Sequence, residues 1–325
     1  MQTRFAGFAM VALGLIAILA TASAQQYPSR NVTIIVPYPS GGPTDETARV
    51  VAQSLSTQFG QSFIVEDISG GGAIIGAEKV AHAVPDGYTL LIHNLQISAN
   101  VSLYKTLPFD TIKAFAPVML LNRNPLVLVG RNTLVPNTLE DLITLMKRQR
   151  LKAAVPGYGT TGHLTTTLFA QEAGVSLDQI PYRGAAPALT DLLGGQIDLF
   201  FATPQSVVQQ VAIGALKAYG VTSKEKLPEF PNAESFPVMF GPELDVTYWQ
   251  AMFAPAGTPA SVINALNNAL QRTVTDPAIV KTCAEEDASV FRADQRTPAA
   301  ANALLQNEIA RWGKVIRDHD IHVEQ

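Results

Sequence analysis

The chain has 325 residues, more than one average domain needs, and suits two units of roughly 100–150 residues each. It is 47% hydrophobic and only 15% charged, enough to bury a sizeable core, and its formal charge is −4. No basic stripe runs through it, which argues against nucleic acid or an anionic membrane surface as a partner.

The first 24 residues read as a separate object. Arg4 supplies a short positive region, Phe8 to Leu19 is uncharged and apolar, and Ala22-Ser23-Ala24 offers the small residues a signal peptidase requires. The apolar run is shorter than the ~20 residues of a spanning helix. The expectation is a cleaved secretory signal, a mature chain from about Gln25, and a product in the periplasm. Cys283 is the only cysteine, so no internal disulfide is expected, and its apolar neighbours predict a buried, inert thiol.

Beyond the signal, strand-like runs alternate with helical patterns, which predicts an α/β architecture. The strand-like runs are Val32–Val36, Ser62–Glu66, Tyr88–His93, Val118–Leu121, Leu126–Val129, Lys152–Val155, Gln179–Tyr182, Ile197–Ala202, Leu216–Thr222 and Tyr248–Ala254. Between them, Ala48, Val51, Leu55 and Phe59 keep a helical period, as do Leu139, Leu142 and Met146. A helix through Leu189, Leu192 and Leu193 stops at Gly194-Gly195. Two irregular segments, around Asn122–Pro125 and Ser223–Gly241, read as crossings between lobes. Lobe one is then 27–122 plus 235–325, lobe two is 123–234, and a two-strand hinge permits closure around a ligand.

Two stretches share one grammar: VTIIVPYPSGGPTDETAR (32–49) and AAVPGYGTTGHLTTTLFA (153–170). Each is an apolar run ending in Val-Pro, then a loop of small residues, then a helix. The first turn of a helix has amides without intrahelical partners and the positive end of the macrodipole, so it attracts anions. The two turns, one per lobe, read as jaws of one anion site. In the first, Tyr38, Ser40, Gly41, Gly42 and Thr44 line the approach. Asp45 either pairs with Arg49 four residues on or accepts from a water or a protonated ligand group. In the second, Gly159, Thr160, Thr161, Gly162 and His163 do the same work, His163 as a ligand donor or as packing at the helix start. Arg183 and Ala185 begin a third strand-to-helix turn, where Arg183 is either a bidentate clamp on a carboxylate or a rim cation. His93, Asn94 and Ser98, with the turn Thr203–Ser206, are candidates for the far end of the pocket.

Other chemistry is poorly represented. Gly157–Gly162 matches G-x-G-x-x-G, but the following strand ends in Tyr182-Arg183, where a dinucleotide site needs an acid. The five histidines show no metal spacing, and there is no G-x-S-x-G elbow. No cofactor and no metal are expected.

Several blocks, in order, resemble the TctC or Bug (Bordetella uptake gene) family, the periplasmic solute-binding receptors of tripartite tricarboxylate transporters. They are YPSRNVTIIVPYPSGGPTDETAR (27–49), IGAEKVAHAVPDGYTLL (75–91), LYKTLPFD (103–110), GYGTTGHL (157–164), PYRGAAPALTDLLGGQID (181–198) and FAPAGTPASVINALN (253–267). The resemblance implies a type II periplasmic-binding-protein fold. It also implies a carboxylate held by backbone amides and waters of the loops Tyr38–Asp45 and Gly157–His163, and delivery to large and small membrane transport subunits. The chain departs from the family pattern at Asp67–Ala73, a rim loop. These features describe an extracytoplasmic, monomeric carboxylate receptor without catalysis, with a dicarboxylate, aliphatic or aromatic, as the preferred ligand. The alternatives are a sensory module presenting its ligand to a membrane kinase and a periplasmic enzyme acting on a small organic acid.

Overall fold

The structure is a computed structural model that describes residues 27–285 and 288–323, with the side chains of 282–285 not described. The expected signal sequence and the thiol of Cys283 therefore lie outside the described residues. In chain order, the first half-sheet comprises β1 (Val32–Val36), α1 (Pro43–Phe59), β2 (Phe63–Asp67), α2 (Ile74–Ala81), β3 (Thr89–Asn94), α3 (Gln96–Leu103), the single turn α4 (Thr111–Ala114) and the long β4 (Phe115–Pro125). A second sheet follows with β5 (Val127–Arg131), α5 (Leu139–Met146), β6 (Leu151–Val155), α6 (Thr161–Glu172), β7 (Leu177–Pro181), α7 (Ala185–Leu193), β8 (Leu199–Ala202), α8 (Pro204–Ala212), β9 (Leu216–Val221) and β10 (Glu234–Ser235). After α9 (Phe236–Phe240), the first sheet is completed by β11 (Thr247–Pro255), α10 (Ala260–Thr275), α11 (Pro277–Glu285), β12 (Ser289–Val290) and α12 (Pro298–Asp318).

The two sheets have matching layouts. The first runs β2-β1-β3-β11-β4-β12 and the second β7-β6-β8-β5-β9-β10. In each, a parallel triad comes first, centred on β1 or β6, and an antiparallel strand follows it. The two jaw sequences occupy the same place in each sheet, immediately after the central strand of the triad. Parallel strands covered on both faces need apolar residues throughout, and four of the five residues of β1 are buried.

Local chemistry explains where α1 begins and ends. Pro43 at its first position sacrifices no hydrogen bond, and Asp45 and Glu46 in the first turn favour the positive end of the dipole. Gly60, at φ 69°, closes the helix in a left-handed turn that its amide caps onto Ser56 O.

The chain passes between the sheets at Leu126 and again between Ser235 and Thr247. The polar run Asn122–Pro125 does not interrupt β4, because β11 pairs with it as far as Thr247 opposite Pro125. Thr222, fully buried, ties the crossings together. Its hydroxyl accepts from Leu126 N (2.7 Å) and donates to Val246 O (2.6 Å), and its amide donates to Leu126 O (2.9 Å). The segment Ser223–Gly241, expected to be irregular, contains β10 and α9, whose Phe236 packs into the lobe-two core, tilted against Phe169 and edge-on to Phe201. The fold is thus two α/β lobes joined by a two-strand hinge, of the periplasmic-binding-protein type.

Candidate functional site

Four helices start at the same cavity. α1 follows β1, α6 follows β6, α7 follows β7 and α8 follows β8, and each strand-to-helix turn contributes to the walls. The cavity, of about 80 Å³, lies between the lobes. That is room for several water-sized groups. From lobe one it is lined by Tyr38, Ser40, Gly42 and Thr44, with Asn94 at the end of β3. From lobe two come Thr160, Thr161 and Gly162, then Arg183, Gly184 and Ala185, then Thr203. A wider depression of about 690 Å³ shares Tyr38, Pro39, Thr160 and Arg183 with it and runs out under the loop Ser69–Ala73. That rim loop holds Gly70, Gly71, Gly72 and Ala73 all at positive φ (133°, 57°, 64° and 69°), a path that three glycines in succession make affordable.

The electrostatics favour an anion without a dedicated cation. Each helix N-terminus carries roughly half a positive charge, and its first amides have no intrahelical acceptor. Amides at Thr44, Thr161, Gly162, Ala185 and Ala186 find no acceptor among the described residues. Thr161 is 3% exposed and its hydroxyl is also without a partner. Arg183 stands exposed at the rim with no ion pair among the described residues.

Not every residue expected at the site faces the cavity. Asp45, 3% exposed, turns back on its own loop. Its carboxylate accepts from Gly41 N (2.8 Å) and Ser40 Oγ (3.1 Å) and pairs with Arg49 (2.8 Å), which also reaches Asp67 (3.1 Å). Burial works against the charge of Asp45, but the Gly41 amide, Arg49 and Ser40 outweigh it and hold the carboxyl below its usual range. The amide of Gly41 is therefore already in use. The second jaw repeats this device with a neutral group. His163 Nδ1 accepts from Gly159 N (3.2 Å), and the ring packs edge-on against Tyr158. Burial lowers His163 to about 4, so the ring is neutral. Thr160 caps α6 by accepting from His163 N (3.3 Å) and donates to Gly157 O (2.7 Å). His93 stands behind Tyr38, with Tyr38 OH 3.1 Å from its Nδ1, and burial lowers it to about 3. Ser98 is fully buried and donates to Leu95 O at the N-terminal cap of α3 (2.6 Å). Gly41, Asp45, His93, Ser98, Gly159 and His163 thus form the backing of the site. Of the turn Thr203–Ser206 only Thr203 lines the cavity, since Gln205 accepts from Asn124 and Ser206 donates to Thr203 O, and the remaining expected residues form its surface.

Two close approaches bring the lobes together. A Cβ on Gly184 would meet Pro39 Cγ at 3.3 Å, and one on Gly159 would meet Leu103 Cδ1 at 3.0 Å. Beside the latter, Gln96 Nε2 donates to Gly72 O in lobe one (3.1 Å) and to Tyr158 O in lobe two (3.4 Å).

A model of the tripartite tricarboxylate transporter family receptor, TctC, matches residues 47–321. The chain belongs to this family. The protein BugT of Bordetella pertussis is 32% identical over 321 residues, 98% of either chain. Among solved structures, the periplasmic binding protein BugD superposes with a TM-score of 0.86 at 32% identity, over 92% of this chain and 100% of its own. MatC from Rhodopseudomonas palustris, with bound malate, gives 0.84 at 32% identity, over 89% and 100%. A further R. palustris protein, with adipate, gives 0.85 at 31% identity, over 91% and 99%. Membership in this family makes the protein a solute-binding receptor, not an enzyme.

For a TctC receptor read from sequence, the residue missed was Tyr248. It sits at the start of β11, lines the cavity, and bonds to Thr44 Oγ1 at 2.8 Å. Only the Gly241-Pro242 turn precedes it, and no motif marks it as a site residue. It reaches the site only because β11 inserts antiparallel between β3 and β4. Leu126, Phe200, Phe201 and Ala202 complete the floor and were likewise legible only as core strand residues.

Proposed function

We propose that this receptor, exported to the periplasm and trimmed near Gln25, captures a small carboxylate between its lobes and delivers it to the large and small membrane subunits of a tripartite transporter. The lobe division expected near residues 123 and 235 belongs to the same proposal, moved to Leu126 and to the Ser235–Thr247 crossing because β4 runs to Pro125 and Phe236 packs in lobe two, as does a monomeric state. One observation carries the reading: three helix N-termini with unpaired amides, and the start of a fourth helix, converge on one inter-lobe cavity, while Asp45, the acid of the first jaw, is turned away and paired with Arg49. An oxyanion placed there meets neutral donors and dipoles on both sides, so its binding draws the lobes together. The relatives solved with malate and adipate support a dicarboxylate, since both acids carry two carboxylates. The test is a thermal-shift panel of mono- and dicarboxylates, malate and adipate included, on protein treated with chelator. A cognate acid at 100 times its Kd contributes about 2.7 kcal/mol, or a rise of roughly 5–10 °C in Tm. A panel in which no acid raises Tm, or in which the response needs added metal, refutes the proposal.

A further inference from the structure

The lobe-one wall of the cavity holds one hydroxyl hydrogen that the protein does not use. Asn94 sets the directions. Its Oδ1 accepts from Gln96 N (3.0 Å), which identifies the other branch of the amide as nitrogen. That Nδ2 donates toward both Thr44 Oγ1 (3.3 Å) and Tyr248 OH (3.2 Å). The two hydroxyl oxygens lie 2.8 Å apart. They bring two hydrogens, and only one fits on the line between them. Neither oxygen has another acceptor among the described residues, and both side chains line the cavity.

We propose that the surplus hydrogen of the Thr44–Tyr248 pair points into the cavity and reads an acceptor oxygen of the bound acid, which makes this pair a specificity element. This rests on the carboxylate reading above. The donor is neutral, and burial pushes the Tyr248 hydroxyl up to about 12, so it keeps its proton throughout the working pH range. It stands beside the unpaired amide of Thr44, so the ligand meets two adjacent donors on this wall. The class of group selected is an oxygen that offers lone pairs: a carboxylate, or a keto or hydroxyl oxygen next to one.

The arrangement has a distinctive consequence. Removing either hydroxyl leaves the other still accepting from Asn94 and still holding a free hydrogen. Removing both leaves none. Isothermal titration with malate and adipate, using whichever binds wild type more tightly, reads this directly. Thr44→Val and Tyr248→Phe alone each weaken binding by no more than about threefold, whereas the double variant loses roughly 10- to 100-fold. Thr44→Ser combined with Tyr248→Phe restores affinity, because the hydroxyl returns without the methyl group. Tm reports whether each variant folds. Should the double variant not fold, Thr44→Ala with Tyr248→Phe replaces it, the smaller side chain admitting solvent to Asn94, and the same direction of loss is expected. Binding by the double variant equal to wild type, or a loss no greater than the product of the single losses, overturns the inference while leaving the carboxylate reading intact. Failure of wild type to bind any acid removes both.

Discussion

Asp45→Asn separates a framework residue from a ligand contact. The wild-type carboxylate satisfies the Gly41 amide and the Ser40 hydroxyl and pairs with Arg49, all while 3% exposed. Asparagine keeps one acceptor oxygen for that turn but loses the charge. Hydrogen bonds to a charged group contribute about 1.5–3 kcal/mol, and an acid in the first helical turn adds about 0.3–1 kcal/mol. Arg49 is 54% exposed and keeps Asp67, so solvent screening discounts its share. The net expectation is a loss of about 2 kcal/mol, seen as a fall of about 4–8 °C in Tm for a chain of this size. Ligand affinity should change by less than about fivefold, because the carboxylate faces Gly41 and Arg49, away from the cavity. The linkage sign is that of a depressed carboxyl: its stabilisation is complete above the unfolded value of about 3.9 and is lost as pH falls through the lower folded value. Wild type and variant should therefore converge in stability under strong acid. The assays are thermal unfolding from pH 7 downward and calorimetric titration with the cognate acid. A variant with wild-type Tm and abolished binding refutes the reasoning, since it makes Asp45 a ligand contact.

The remaining predictions concern the rim, the backing histidines and the contact between lobes. Arg183→Gln, at an exposed guanidinium without an ion pair, should slow association and flatten its salt dependence with little change in dissociation, as stopped-flow binding at low and high salt would show. A large rise in off-rate makes Arg183 a desolvated clamp instead. His93 and His163, lowered to about 3 and about 4, stay neutral when folded but take up protons when unfolded near pH 6.5. Their stabilisation is present above pH 6.5 and is lost as pH falls toward the folded values, so Tm should drop between pH 7 and 5 and drop less in His163→Asn. Affinity should be flat from pH 6 to 8. Gly184→Ala forces a side chain onto a φ of 117° and 3.3 Å from Pro39 across the cleft, so binding should weaken by roughly tenfold or more, with a more open particle in small-angle scattering. Unchanged affinity there means closure does not depend on the Pro39–Gly184 approach.

Much of this protein was readable before any coordinates, because its information is local. Val-Pro before a small-residue loop, Pro43 at a first helical position and Gly60 past a last one are signals within a few residues of the backbone they shape. The alternation of β and α patterns specifies the architecture, and the two jaw sequences mark where helices begin at the ends of buried strands. What local sequence could not decide is which donors remain free. Gly41 and Gly159 look like anion-binding amides in sequence, yet a carboxylate and an imidazole four residues further on each take one of them. Tyr248 joins Thr44 from 204 positions away, through the antiparallel insertion of β11, and no periodicity encodes that meeting. The polar run Asn122–Pro125 looked like a break and is strand, since β11 supplies pairing that single-strand propensity does not register. Helix starts are properties of a short peptide, but convergence of four of them, and the hydrogen left over beside them, are properties of the packed lobes. A hydrogen-bond donor counts as free only after every competing partner has been placed.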